Sequence, residues 1–423
     1  MHVEMNKKNV LIISHVPLSN VNNNGKTLVS IFKGISAENI YQIYLNSDIP
    51  DYDDNCHYLQ INEKQIVQSV LQRKNLCCQE ISANGKNISS ASIKTGSFAM
   101  QAKRLLREGI WKVALWKSKL KEWLSDKKFD VVFFMAGDGL FAYDIYNFVI
   151  KNTNAKGCLF FTDDYIIGKS SRSPFALIRR LLLKRKMKRT LQSVKNLYVI
   201  SEEMKKAYSE IFGREGYVIR NFSVEKREGT SADSNSNNEM LTMVYAGGLH
   251  YNRWKVLGDI ARVLQKINGT CDVKCVLKVY SSQKISSEII DYMVVDGASK
   301  FMGGVSAAEI AGVYANSDIL LHVESFDKKA VASTKYSFST KIPEYLSAEK
   351  CVLAVGPSEV ASVQYLADCA CVISDGEDLF AALSKLINDN DYRNKIKDKC
   401  RRHYEKDFSL DKQRECLQHI LSS

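Results

Sequence analysis

LTMVYAGGLHYNRWKVLGDIARVLQKI, residues Leu241 to Ile267, opens with the apolar run Leu241–Ala246, turns at Gly247-Gly248 and continues from Val256 to Ile267 with apolar residues at helical spacing. A short buried strand, a glycine turn and an amphipathic helix make half of a βαβ unit. The same order occurs near the N-terminus. Asn9–Ser14 reads as a strand, Asn22-Asn23-Asn24-Gly25-Lys26 as a loop, and Thr27 as the start of a helix with Leu28, Ile31 and Ile35 on one face. Further strands are expected at Asp130–Met135, Cys158–Thr162 and Leu197–Ile200, and in the second half at Val276–Tyr280, Ile319–Val323, Cys351–Val355 and Cys371–Ile373. Strands alternating with helices imply parallel sheets covered on both faces, hence an α/β chain of two Rossmann-like domains. The stretch Lys226–Glu239, KREGTSADSNSNNE, has nothing to anchor a core and reads as a linker. The expected organisation is therefore 1–225, a linker 226–239, a second domain 240–395, and a C-terminal helix 396–423 packing back toward the first domain. A cleft between two such domains is the default ligand site.

The 423 residues, 45% apolar and 25% charged, suffice for two cores and exclude disordered, fibrous and small stapled classes. Val131–Ile150 carries Asp138 and Asp144 and so reads as strand plus helix, not as a membrane span. Met1–Asn9 is polar, without the pattern of an export signal. Eleven scattered cysteines with no C-x-x-C suggest a reduced cytoplasm, and neither they nor the seven histidines have metal-site spacing.

Chemistry-bearing residues cluster at the expected strand ends. Gly247-Gly248 lies between strand and helix, where backbone N–H groups can hold a phosphate, with Arg253 close by. Gly25 permits close backbone approach in the corresponding first-domain loop. Glu324 follows the strand Ile319–Val323 directly, at the end where open α/β sheets bind ligands. Lys341 and Glu344 flank Pro343 at a helix start, and a carboxylate there also simply complements the helix dipole. Asp163 follows the strand Cys158–Thr162, where capping the next turn is an equal alternative.

Several of these stretches resemble the GT-B glycosyltransferases of retaining family 4. The run LYVISEEMKKAYSEIFGREGYVIRN (Leu197–Asn221) is similar to the close of that family's N-terminal domain, and VYAGGLHYNR (Val244–Arg253) to the opening of its donor domain. Lys300–Glu324 and Lys341–Gly356 resemble the segments carrying the family's two glutamates. The resemblance implies a GT-B fold in which the first domain meets an acceptor and the second binds a nucleotide sugar, with no metal and no cofactor beyond that co-substrate. It gives Glu344 the donor ribose, Glu324 the donor sugar, Arg253 and Lys341 the diphosphate, Tyr280 the base edge, and Gly25 the first-domain loop near the reaction. This sequence also departs from the family. Glu324 and Glu344 stand 20 residues apart, an insertion around Asp327–Phe338. Gly248 replaces the usual arginine after the turn glycine, and Asp163-Asp164 stands where many members have a histidine.

Residues 1–220 hold 34 Lys plus Arg against 20 Asp plus Glu, a net of +14, while residues 221–423 net −2. Nine basic residues and no acid lie in Arg172–Lys195, with Leu183, Met187, Leu191 and Val194 as a stripe. Lys103–Lys121 holds seven against Glu108 alone, with Leu106, Ile110, Val113, Trp116, Leu120 and Trp123 along a face. Basic amphipathic helices suit an anionic membrane surface, and no reader motif for nucleic acid accompanies them. The expected function is a cytoplasmic glycosyltransferase, peripheral on the inner face of the cell membrane, that moves a sugar from a nucleotide-sugar donor to a lipid-linked or glycan acceptor in bacterial capsule, O-antigen or exopolysaccharide assembly. A GT-B-fold nucleotide-sugar epimerase and a non-catalytic nucleotide-binding membrane-docking scaffold are the alternatives.

Overall fold

The structure is a computed structural model that describes residues 7–20, 23–74, 77–83, 98–168, 173–222, 240–306 and 308–422. The stretch 226–239 read as a linker, Asn22 of the first loop and Arg172 of the basic run lie outside these residues. The chain divides into two compact units, Met1–Asn221 with Gln413–Ser423, and Phe222–Lys412.

The first unit is built on eight strands: β1 (Val10–Ser14), β2 (Ile40–Tyr44), β3 (His57–Gln60), β4 (Gln79–Ile81), β5 (Val131–Ala136), β6 (Lys156–Phe161), β7 (Asn196–Val199) and β8 (Tyr217–Val218). Their order is β4-β3-β2-β1-β5-β6-β7-β8, parallel throughout except for β4 against β3. Strands buried on both faces read as unbroken apolar runs, as in the VVFFMA of β5, every residue of which is buried. Strand order reverses beside β1, next to β5, so the chain leaving β1 enters the crevice where such sheets accept ligands.

Buried polar groups fix that exit. Gln42, in the middle of β2, accepts from Leu18 N (2.8 Å) and donates to Ser14 Oγ (2.8 Å) and Val16 O (3.1 Å). Asp51 accepts from Ser19 Oγ and Asn20 N. The helix expected from Thr27 begins earlier and spans Asn23–Phe32, with Gly25 pressed onto the loop: a Cβ there would lie 2.7 Å from Pro17 O and from Ser19 Cβ. Packing of the loop against its own helix accounts for this glycine. Residues from Gln413 onward complete the unit. The Gln413 amide donates to Ile31 O and Lys33 O, and His419 Nδ1 lies 2.9 Å from the Tyr198 hydroxyl.

The second unit holds β9 (Met240–Ala246), β10 (Lys274–Tyr280), β11 (Ser299–Gly303), β12 (Ile319–Val323), β13 (Cys351–Val355) and β14 (Cys371–Ile373). Their order, β11-β10-β9-β12-β13-β14, is that of a doubly wound dinucleotide-binding sheet, all parallel, with the reversal between β9 and β12. The extra residues around Asp327–Phe338 form a helix, Lys328–Thr334, capped by the Asp327 carboxylate on Lys329 N and Ala330 N. Phe338 then packs edge-on against Tyr365 in an aromatic group with Phe408. The helix Asn390–Asp407 stays on this unit, with Cys400 Sγ donating to Cys369 O and Asp407 accepting from the Tyr365 hydroxyl.

Replacing Gln42 by leucine removes the acceptor of the buried Leu18 N–H, and it should lower the unfolding free energy by about 1–3 kcal/mol in urea titration. A change below about 0.5 kcal/mol would show that the exit loop does not depend on this amide.

Candidate functional site

In the second unit the chain leaves β9 at Ala246 and β12 at Val323, on neighbouring strands at the reversal point. Everything that follows Ala246 is tightly specified. Gly247 N donates to Tyr280 O (2.9 Å), the Tyr245 hydroxyl donates to Gly248 O (2.6 Å), and Leu249 N donates to Gln283 Oε1 (2.6 Å). The N–H groups of Gly247 and Leu249 are thus committed within the protein. Tyr251 and Asn252 then adopt left-handed φ values of 60° and 63°, a conformation that costs non-glycine residues on the order of 1 kcal/mol or more each. Two such residues in succession reverse the chain so that the helix Arg253–Thr270 starts with Arg253 turned back over the strand ends.

Arg253 meets Glu324 there. Its Nη2 lies 2.9 and 2.8 Å from the two carboxylate oxygens and its Nε lies 3.3 Å from Oε2, with the side chains only 15% and 5% exposed. Burial pushes the Glu324 carboxyl up, and Arg253 followed by Lys341 opposes that rise. For Arg253, burial acts against the charge, but Glu324 and Tyr245 outweigh it and raise its pKa. The bidentate geometry holds the two as an ion pair. Glu324 is clamped from below by its own N–H on Val355 O and by Gly356, where a Cβ would stand 2.8 Å from that of Glu324.

Lys341 is close enough to act electrostatically on Glu324, His250 and His322. It precedes the short helix Ile342–Ser347, which carries half-buried Glu344 and is fixed under β9 by Tyr345, whose hydroxyl is 3.5 Å from Ala246 O. The structure therefore gathers Gly247, Gly248, Arg253, Glu324 and Lys341, with the Tyr280 carbonyl beneath the turn, and carries Glu344 on the next helix. Glu324, assigned to a donor sugar by resemblance, is here the partner of Arg253.

Two histidines join the group. His322 is buried in β12 with Nε2 3.5 Å from Glu324 Oε1, and burial, then Arg253 and Lys341, hold its pKa down at about 3. At His250 desolvation of the ring against the turn, then Arg253 and Lys341, bring the pKa down to about 4. Both are neutral at pH 7. Among the described residues, no group of three or more His, Cys, Asp or Glu is placed to hold a metal ion.

Asp163 and Gly25 lie in the first unit. Of the pair after β6, Asp164 is the turn cap, accepting from Ile166 N, Ile167 N, Gly168 N and the Tyr208 hydroxyl. Asp163 is half-buried beside it. At the end of β5 stands Asp138, which the motifs did not single out. Burial acts to raise its pKa, but Arg179, Arg104 and Arg107 overcome that and hold it below the usual carboxylate range. Only spatial convergence of separate helices reveals that cluster.

The basic helices divide differently from the sequence pattern. Leu183, Met187, Leu191 and Val194 are core, as are Trp116, Leu120 and Trp123, so neither tryptophan is available to a membrane. Leu177, Ile178, Leu181 and Leu182 are instead exposed on the helix Pro174–Leu191, followed on the same face by exposed Lys184, Arg185, Lys188 and Arg189. The neighbouring helix Phe98–Val113 exposes Lys103, Leu106, Lys112 and Val113, and Arg179 joins the two helices through Glu108 at 3.8 Å. Among the described residues, no helix is long and apolar enough to cross a membrane.

Residues 257–419 match the family model described as glycosyl transferase-like. No curated protein sequence matches the chain. Among solved structures, sucrose-phosphate synthase from Thermosynechococcus elongatus aligns over 97% of each chain with a TM-score of 0.61 and 11% identity. Anabaena HepE, solved with UDP-glucose, aligns over 98% of this chain and 99% of its own (TM-score 0.56, 12% identity). A glycosyltransferase from Rickettsia africae aligns over 99% and 100% (0.57, 14%). The fold is GT-B. Arg253, Glu324 and Lys341 converge at the reversal point of the second sheet, the place at which open α/β sheets generally bind ligands.

The neutral histidines give the fold a pH signature. An unfolded histidine titrates near 6.5, whereas His322 resists protonation until about pH 3. From pH 6.5 downward the unfolded chain takes a proton that the fold refuses, so stability should fall by up to ~1.4 kcal/mol per pH unit for this residue. His322→Gln should flatten the curve of melting temperature between pH 6.5 and 4. Parallel curves for the two proteins would rule the explanation out.

Proposed function

We propose that this GT-B chain is a glycosyltransferase that moves a sugar from a nucleotide-sugar donor to a lipid-linked or glycan acceptor, with retention at the anomeric carbon and without a metal ion. The observation that carries the reading is the convergence of Arg253, Glu324 and Lys341 at the reversal point of the second sheet, on a unit of net charge close to zero. Departure of a nucleoside diphosphate leaves negative charge on phosphate oxygens, and fixed cations in a poorly hydrated site are what stabilise it. Arg253 and Lys341 supply that charge, and Glu344, on the adjoining helix, is suited to accept hydrogen bonds from ribose hydroxyls. The glycosyl transferase-like match over 257–419 and the UDP-glucose bound to HepE support a nucleotide sugar as donor. Retention follows if the departing phosphate takes the proton of an acceptor hydroxyl attacking on the same face, so no protein side chain is assigned as base.

The first unit supplies the reason for a membrane-associated acceptor, of the kind used in bacterial capsule, O-antigen or exopolysaccharide assembly. Leu177, Ile178, Leu181 and Leu182 followed by Lys184, Arg185, Lys188 and Arg189 form an apolar end and a cationic end on one exposed helix face. Such a face enters an anionic leaflet at its edge, each cation near the surface contributing about 1 kcal/mol. The protein is then cytoplasmic and peripheral.

Purified protein given a panel of nucleotide sugars and membrane extract should release nucleotide in an acceptor-dependent way. Glu344→Ala should reduce kcat/KM by roughly 10- to 100-fold, the range for hydrogen bonds to a charged group. Turnover without acceptor would point to an epimerase, and binding without turnover to a scaffold; either would displace the transferase reading. On vesicles containing anionic lipid, Leu181→Glu and a Lys184→Glu/Arg185→Glu double variant should both weaken sedimentation. Salt at about 0.5 M should release the wild type while donor binding changes far less. Equal sedimentation of all variants would remove the membrane from the proposal.

A further inference from the structure

At the reversal point of the first sheet the cations outnumber the acids that can hold them. The chain leaves β1 at Ser14 and β5 at Ala136, so His15 and Asp138 follow neighbouring strand exits. Arg104 and Arg107 come to this place from the helix Phe98–Val113, and Arg179 comes from Pro174–Leu191. The two acids beside them are already in use. Glu108 accepts from Leu140 N and Phe141 N, both at 3.2 Å, and so caps the start of the helix Leu140–Asn152. Asp138 Oδ2 takes Arg179 Nη2 at 3.1 Å and Arg104 Nη1 at 3.5 Å.

Arg107 is the cation left over. Its guanidinium carbon lies 5.1 Å from the centroid of the Phe141 ring, and that ring stacks on Trp111 with centroids 4.0 Å apart and planes 11° from parallel. An aromatic ring attracts the charge but takes none of the five N–H donors that a guanidinium carries. Among the described residues, Arg107 Nε is buried without a hydrogen-bond partner, and no carboxylate forms an ion pair with the side chain. A buried charged donor without an acceptor is costly, and an anion is the partner its chemistry calls for. Arg107 acts electrostatically on both His15 and Asp138, which brings its charge to the strand exits where open α/β sheets bind ligands.

We infer that Arg107, with Arg104, binds a phosphate group carried by the acceptor, at a site contained within the first unit. The inference rests on the glycosyltransferase reading above and names the chemical class of its acceptor. A phosphate presents several anionic oxygens and so accepts from two guanidinium forks at once. The contact of Arg104 with Asp138 is long for a charged hydrogen bond and its side chain is 31% exposed, which leaves it able to share the phosphate. Arg179 is a positioning residue. Only 9% exposed, it donates to the carbonyl and the carboxylate of Asp138 and so neutralises the acid nearest the site. Leu106, Leu177 and Ile178 expose apolar surface on the same two helices, so a lipid as well as a soluble compound can bear the phosphate.

Binding measurements on the full chain test this with three probes: phosphatidylcholine vesicles carrying a polyprenyl diphosphate, vesicles given the same charge by phosphatidylserine, and the soluble monoester glucose 1-phosphate. Arg107→Ala should weaken whichever phosphate probe the wild type binds by about 10- to 100-fold, and leave phosphatidylserine vesicles and nucleotide binding unchanged. Arg107→Lys, which keeps the charge but loses the planar fork, should recover only part of the affinity. Arg104→Gln should give a smaller loss of the same pattern. Since removing Arg107 strands no carboxylate, melting followed by circular dichroism should stay where it is; a merely structural arginine would lower the melting temperature and spare phosphate affinity. Loss confined to the polyprenyl diphosphate assigns a lipid-borne phosphate, and loss on the monoester a soluble one. Wild-type affinity of Arg107→Ala for every phosphate probe, or no phosphate probe bound by the wild type, overturns the proposal, while acceptor-dependent release of nucleotide would still uphold the transferase. Phosphate binding through Arg107 in a protein that releases nucleotide from no donor keeps the anion site and refutes the transferase reading.

Discussion

The buried ion pair between Arg253 and Glu324 organises the second unit at its ligand-facing edge. Two charges withdrawn from water are tolerated only when their geometry is close to ideal, and removing one leaves the other stranded at a cost of about 3–5 kcal/mol. Features that look unrelated in sequence are conditions for that geometry. The left-handed pair Tyr251-Asn252 turns the helix start back over the sheet, and Gly356 leaves room for the Glu324 backbone. The hydroxyl of Tyr345 holds the Lys341 helix at the level of Ala246. Arg253 is thus held in one orientation by its carboxylate partner. Little reorganisation then remains when an anion arrives, which is the situation in which fixed charges stabilise a leaving group best.

Charge is divided in the same spirit. The second unit, near neutral overall, gains affinity for an anion from a few placed cations, so long-range attraction plays a small part and local geometry a large one. The first unit carries the whole excess, much of it on the face of Pro174–Leu191 that also exposes four apolar side chains. A surface field of that kind is screened over about 10 Å at 0.1 M salt, whereas the buried pair is hardly affected. Charge effects at the surface of the first unit are therefore salt-sensitive, and those within the buried pair are not.

Much of the architecture was legible in the sequence because parallel strands buried on both faces leave unbroken apolar runs. Ile319–Val323, Cys351–Val355 and Cys371–Ile373 coincide with β12, β13 and β14, and most other strands differ by a residue or two. The strands β2, β3, β4, β8 and β11 had no such signal. Gln42 interrupts β2 for the sake of the loop it pins, and β11 alternates Lys300 and Met302 outward as an edge strand should. The helix stripes misled for a related reason. Leu183 and Met187 recur at helical spacing because they face the core, so the apolar residues left for a partner are the ones outside that period, Leu177, Ile178, Leu181 and Leu182. Burial of Trp116 and Trp123 was likewise invisible, since a tryptophan beside lysines reads the same on either face of a helix.

The glycines carry the sharpest lesson about the site. Gly25, Gly247 and Gly248 all read as places where a backbone could approach a phosphate, and in each the missing Cβ is accounted for by a neighbour inside the protein: Pro17 and Ser19, the Tyr245 hydroxyl, and the His250 ring. The N–H groups of Gly247 and Leu249 are already engaged within the unit, so two of the donors that a glycine-rich loop usually turns toward a ligand are taken up. The glycines instead make room for side chains of their own unit. A backbone cradle is indifferent to substitution at neighbouring positions, but a side-chain site depends on each contributing residue and on whatever fixes its rotamer and tautomer. Gln283 has no resemblance-based role and lies on a different loop, yet its amide accepts from Leu249 N–H and its Nε2 lies 3.3 Å from the His250 ring. The residues that shape this end of the second unit are therefore spread from 245 to 324, tied together by the hydrogen bonds that hold one arginine and one histidine in place.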